Sequence, residues 1–238
     1  WIVAIASIVM YLGSLFWVQS YGAYAVIFSR EYGWSMTLLA GAYTLTRVES
    51  GLLGPVQGWM ADRYGPRLVI SVGMLMYGIG LLCLTLVETL PVYFLAVIVI
   101  SVGISLGGYQ TLMVSIVNWF QRHRTKAIAL TQLGHSLGGL SVPMLAYGLE
   151  QFGWRTIALA SGFTAIFLGI PLVQYIRHRP EEKGEVVDGN IKGEHYNDHV
   201  EKNNEIVFGS WQNALRTRAF WFISAGHAIA LLSVSSVL

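Results

Sequence analysis

At 238 residues, 54% hydrophobic and 12% charged, the chain carries about half the roughly 25% charge of a soluble domain. Its net charge of +2 gives no basic field for nucleic acid. One cysteine, Cys83, excludes a disulfide framework and a thiolate metal cluster.

A helix needs about 20 mainly apolar residues to cross the hydrocarbon core of a bilayer. Seven stretches qualify as predicted spans: 2–28, 36–59, 68–87, 91–117, 126–149, 156–176 and 219–238. Their runs do not alternate every second residue, which excludes a transmembrane β-barrel. The expectation is therefore an all-α membrane protein. The chain opens on Trp1 inside an apolar run too long, and wrongly flanked, for a cleaved signal peptide. It closes inside another run, so it reads as six complete spans and part of a seventh from a longer protein.

Span 1 carries Trp17, Ser20, Tyr21 and Tyr24 at i, i+3, i+4 and i+7, one face of a helix. Such a stripe more often packs than binds. Span 2 holds two fully charged residues, Arg47 and Glu49. An Arg at the bilayer centre costs about 2.5–3.5 kcal/mol on insertion scales, so it must face protein or water. Residues two apart on a helix point about 200° apart, so these two do not pair. One can face a cavity and the other a neighbouring helix. The planar guanidinium of Arg47 suits a carboxylate, gripped in two places. Glu49 suits a proton or gate partner. The alternative for both is a structural polar contact.

The turn "GWMADRYGPR", Gly58 to Arg67, follows. Gly54 and Gly58 offer a small-residue face, Gly65 can take positive φ, and Pro66 suits a helix start. Asp62 can accept from an Arg or a helix N-terminus. Span 4 has Gly103 and Gly107 at close-packing spacing and the polar pair Tyr109 and Gln110; span 5 has Gly134 and Gly138. His135 in span 5 and His227 in span 7 could titrate near neutral pH, though a neutral, hydrogen-bonded His is the plainer reading. Pro55 and Pro143 are expected to bend their helices. Residues 177–218 are polar and read as a linker, with 1–176 a six-helix bundle before it and 219–238 a further helix after it. "IVFGSWQNALRTR", at the end of that linker, mixes apolar and basic residues and suits the membrane surface.

Twelve of the 15 Lys and Arg residues fall in the connections after spans 2, 4 and 6. The positive-inside rule makes that side cytoplasmic, and the N-terminus with it. Helix 1 is followed by "EYGWS" and helix 5 by "QFGWR", a faint internal echo of the nested repeats of secondary transporters.

Gly58, Asp62, Arg63, Gly65 and Arg67 match the signature loop of the major facilitator superfamily, Gly-x-x-x-Asp-Arg-x-Gly-Arg-Lys/Arg, and the turn resembles it in position too. Pro66 stands where the first of the final basic residues is usual. The resemblance implies a conformational latch between two six-helix halves. "NWFQRHRTKAIALTQLGHSLGG" is similar to the helix 4–5 signature of the monocarboxylate-transporter branch, through Trp119, Phe120, Arg122, Arg124, Ala127, Gly134, Gly138 and Gly139. "SYGAYAVIFSREYGWS" resembles the bacterial members, the oxalate–formate exchanger type included.

No P-loop, metal-ligand spacing or catalytic constellation stands out, so no cofactor or enzymatic activity is expected. "GHSLGG" has hydrolase-elbow spacing but lacks the strand–turn–helix setting that an elbow needs. What the resemblance implies is a twelve-helix transporter in the plasma (inner) membrane. It would move a small organic anion such as a monocarboxylate by alternating access, with a proton or by exchange. Tyr21, Arg47, Glu49, Tyr109, Gln110 and His135 are its candidate substrate or coupling residues. A transporter-fold sensor, or a transporter for another solute class, is the alternative.

Overall fold

The first apolar run folds as α1, Ile2–Tyr32, but not as a uniform helix. Ser14–Val18 forms a π-helical turn. There the Gln19 amide reaches back five residues to the Ser14 carbonyl at 2.9 Å, and the Ser20 hydroxyl donates to the Leu15 carbonyl. Gly33, at φ 69°, terminates α1 in the left-handed conformation that a glycine adopts without steric cost. Helix α2, Met36–Tyr64, starts at Ser35, whose hydroxyl accepts from the Leu38 amide at 3.3 Å. It runs without interruption through Pro55. Gly65, at φ 79°, turns the chain, and Pro66 opens α3, Pro66–Leu84. That position suits proline because a first-turn amide has no intrahelical acceptor.

Helix α4, Leu90–Trp119, breaks at Gly108. Helix α5 comprises Arg124–Leu140 and Val142–Phe152, divided at Ser141, with Pro143 in the first turn of the second piece. Helix α6, Trp154–Gln174, contains a second π-helical turn, Ala165–Gly169. In this computed structural model residues 1–120 and 122–176 are described, with Thr217, Trp221, Phe222, Ala225 and Gly226. Apart from those five positions, the expected linker and seventh span lie outside the described residues, as does His227. The chain divides into two units, Trp1–Ile191 and Lys192–Leu238; α1 to α6 belong to the first. Every regular element among the described residues is helical.

Four helices, α1, α3, α4 and α6, are long and apolar enough to cross a membrane. Helices α2 and α5 are not among them. The reason is compositional: α2 carries Thr44, Thr46, Arg47, Glu49 and Ser50, and α5 carries Thr131, Gln132, His135 and Ser136.

Helix pairs meet through glycine. A Cβ on Gly73 would collide with the Gly107 backbone, and one on Gly103 with the Tyr77 backbone, so α3 and α4 touch main chain to main chain. Gly134 meets the Ser7 carbonyl and Gly138 lies against Ser14, which seats α5 on α1. Gly58 behaves otherwise. Nothing lies within 4 Å of its Cβ position, so the close approach expected there is not made among the described residues.

The two ends of the bundle are tied differently. At one end the indoles of Trp1 and Trp119 meet edge to face at 5.0 Å, and Arg67 of α3 donates to Gln174 of α6. At the other, Trp154 donates its indole N–H to Glu31 at 2.5 Å and Arg155 pairs with Glu31 at 3.3 Å. Tyr32 donates to the Val87 carbonyl at 2.7 Å. Gly65 (φ 79°, ψ 149°) and Gly153 (φ 79°, ψ 148°) share one backbone conformation. Gly33, in "EYGWS", adopts a different one (φ 69°, ψ 18°).

Candidate functional site

Arg47 and Glu49 leave α2 in different directions, as their spacing requires. Arg47 is exposed and lines a cleft of about 50 Å³ with Trp17, Val18, Tyr43, Thr46, Ser50, Ser101 and Ile104. Its Nη2 donates to the Tyr43 hydroxyl at 2.5 Å, and its guanidinium carbon lies 4.9 Å from the centre of that ring. Tyr43 is four residues earlier, one turn along the same face. Arg47 makes no ion pair among the described residues, so its charge is directed to the cleft.

Glu49 turns towards α4. Its Oε2 accepts from Ser101, from Ser105 at 3.3 Å and from Ser50 at 3.3 Å. The Ser50 and Ser105 hydroxyls are 2.9 Å apart, and Ser101 also reaches the Thr46 carbonyl at 3.4 Å. The other carboxylate oxygen, Oε1, is buried without a hydrogen-bond partner among the described residues. Charge in α2 is thus split: the cation meets open space, and the anion meets neutral hydroxyls.

His135 reaches the same region from α5. Its Nε2 is 3.3 Å from Gln19 Nε2 of α1, and it is near enough to Arg47 to feel its charge. Tyr21 is placed differently from the others. It is 8% exposed, donates to the Leu39 carbonyl at 2.5 Å and shares a 2.7 Å hydrogen bond with the Tyr93 hydroxyl. Its ring packs behind Tyr43, 4.7 Å between centres. Tyr109 and Gln110 are exposed at the start of the second piece of α4. Neither joins the cleft lining; Gln110 lies beside Gly54.

The stretch expected as a turn is helical as far as Tyr64, so Asp62 and Arg63 lie in the last turn of α2, where both are exposed. Asp62 forms no ion pair among the described residues. Arg63 lies over Trp59 at 5.6 Å and Tyr64 at 5.9 Å. Arg67 is engaged within the bundle by Gln174, whose Nε2 donates onward to Ser71 at 3.1 Å. At the α4–α5 connection Trp119 is buried and Phe120 packs against the core. The Arg124 Nε donates to the Phe120 carbonyl at 3.4 Å, and Arg122 is exposed.

The family model described as Major Facilitator Superfamily matches residues 1–238. The chain belongs to that superfamily. With four helices able to span a bilayer, this superfamily member is an integral membrane protein. It is similar to the fujikurins efflux protein of Gibberella fujikuroi, 28% identical over 70% of this chain and 36% of that protein. It is 23% identical to a probable L-galactonate transporter of Escherichia coli, over 82% of this chain and 43% of that protein. It is 25% identical to the oxalate:formate antiporter of Oxalobacter formigenes, over 69% and 39% respectively. The chain thus spans about two-fifths of the length of these curated relatives.

Sequence reasoning on this superfamily member missed Tyr43, Gln19, Ser50, Ser101 and Ser105. Tyr43 was within reach, because it stands at i−4 from a charged residue inside a span. The serines were not, since nothing in the spacing of α2 and α4 tells which turns face each other.

Proposed function

We propose that this superfamily member is the N-terminal part of a secondary transporter that moves a small organic anion by alternating access, coupled to a proton or by exchange. The observation that carries the reading is the Arg47 fork, placed at an open cleft within α2 and held there by the Tyr43 hydroxyl rather than by a carboxylate. A guanidinium that lines an open cleft within a helix and has no acidic partner among the described residues is a carboxylate receptor by its chemistry. The resemblance to the oxalate:formate antiporter supports the same class.

On this reading α2 and α5 cross the bilayer as well, their polar residues turned to the transport path. Residues beyond this chain complete the site, and the two halves rock about it. The sorting of Lys and Arg supports a cytoplasmic N-terminus. The exposed Asp62 and open Gly58 are available for a latch on the second half. Nothing in the site calls for an enzymatic role.

Uptake of labelled formate, lactate and oxalate into vesicles carrying the full-length protein tests this. Accumulation lost in Arg47→Ala supports the anion reading. Wild-type protein that moves none of the three, but moves a cationic or neutral solute, points to another solute class. Binding without any uptake points to a sensor.

A further inference from the structure

Ser50 and Ser101 serve two sites. Their hydroxyls bond Glu49, and the same two residues line the cleft beside Arg47. A serine hydroxyl has one proton to donate. Given to the Glu49 carboxylate, it is withheld from an anion in the cleft; given to the anion, it is withdrawn from Glu49.

Glu49 is poorly placed to lose those donors. Ser50 and Ser105 are bonded to each other, so one of their two protons is already committed. Oε1 has no hydrogen-bond partner among the described residues. The groups facing Glu49 from α4 are Ser101 and Ser105, neither of them ionisable. On α2 the ionisable neighbours are Arg47 and Tyr43, both on the cleft side, and His135 of α5 lies towards Arg47. An anion beside Arg47 therefore does two things to Glu49. It takes hydroxyl donors away, and it adds a second negative charge nearby. A proton on Glu49 relieves both, because the neutral carboxyl needs fewer donors and can itself donate to a serine oxygen.

We propose that Ser101 and Ser50 are exchanged between Glu49 and a carboxylate held at Arg47, so that anion capture and proton uptake at Glu49 occur together. This rests on the anion reading of the cleft and selects proton symport from its two modes of coupling. No covalent bond of the solute changes. One proton passes from water to Glu49 as one carboxylate enters, so a monocarboxylate is carried without net charge. By linkage the effect is reciprocal: the anion favours the proton by the same factor as the proton favours the anion.

The test is lactate, formate and oxalate binding to the purified full-length protein in nanodiscs, by calorimetry, from acid to alkaline pH. In the wild type, Kd should weaken about tenfold as pH rises, within the usual range of coupling factors, with proton uptake on binding. Glu49→Gln, fixed in a neutral form, should bind with the acid-side Kd throughout and take up no proton. Ser101→Ala leaves the carboxyl in place and removes a shared donor; it should reduce the pH dependence several-fold, and it decides the matter alone should Glu49→Gln fail to fold. Glu49→Gln with the wild-type pH profile overturns the proposal. So does a profile abolished by His135→Gln instead, or one replaced by dependence on Na⁺. If wild-type protein binds none of the three anions at any pH, the anion reading itself falls, which is a separate result.

Discussion

Arg67, a residue of the superfamily's signature turn, donates both Nε and Nη2 to the side-chain oxygen of Gln174. The turn thereby joins the start of α3 to the end of α6 inside one bundle. Hydrogen bonds from a charged donor are worth about 1.5–3 kcal/mol when buried; for this half-buried pair the lower end applies. Gln174→Ala should lower thermal stability by about 1–2 kcal/mol, with anion affinity unaltered. Unfolding of the detergent-solubilised protein checks this, and an unchanged Tm would show that the contact carries no stability.

Gly134 and Gly58 should respond oppositely to alanine. At Gly134 the new methyl meets the Ser7 carbonyl, a rigid backbone atom. Overpacking of this kind costs about 1–3 kcal/mol, occasionally more. At Gly58 nothing among the described residues lies within 4 Å, and replacing a mid-helix glycine gains roughly 0.5–1 kcal/mol. The yield of folded protein should fall for Gly134→Ala and hold for Gly58→Ala. A Gly58→Ala variant that folds well yet transports poorly would locate the second half of the transporter at this face.

Tyr21 and Tyr43 separate packing from binding. Tyr21→Phe loses the bonds to Leu39 and Tyr93. It should cost about 1–2 kcal/mol of stability and leave KM for uptake unchanged. Tyr43→Phe frees the Arg47 fork from its one described acceptor. It should raise KM several-fold with little change in Tm. The reverse pattern would move the site away from Arg47.

At the opposite end, Glu31 is 39% exposed and Arg155 49%. An exposed ion pair contributes about 0–1 kcal/mol, so Arg155→Gln should have little effect on Tm. Trp154→Phe should cost more, about 1–3 kcal/mol, because it strips a carboxylate of its indole donor. A larger effect from Arg155→Gln than from Trp154→Phe would mean that charge, not the indole bond, holds this end together.

The helical class and the turn after α2 were legible in the residues because lipid and φ/ψ sterics act locally. An apolar run of sufficient length becomes a helix whatever its neighbours do. Gly65 and Pro66 specify a turn and a helix start between them. The divergence of Arg47 from Glu49 was equally legible, since helical rotation depends on sequence spacing alone. The π-helical turns at Ser14–Val18 and Ala165–Gly169 were not, because a five-residue hydrogen bond competes with the ordinary one by small margins that packing decides.

What only the tertiary structure decided is which polar group meets which. Sequence placed Tyr21 and Tyr109 as candidates of one kind; packing sends the first behind Tyr43 and leaves the second outside the cleft. The Glu49–Ser101 contact joins residues 52 positions apart, on two helices whose relative rotation is set by packing and not by the sequence of either one. Local chemistry sets what each helix is and which way its own side chains point. The facing surfaces arise from close packing over the whole bundle, and no single segment encodes them.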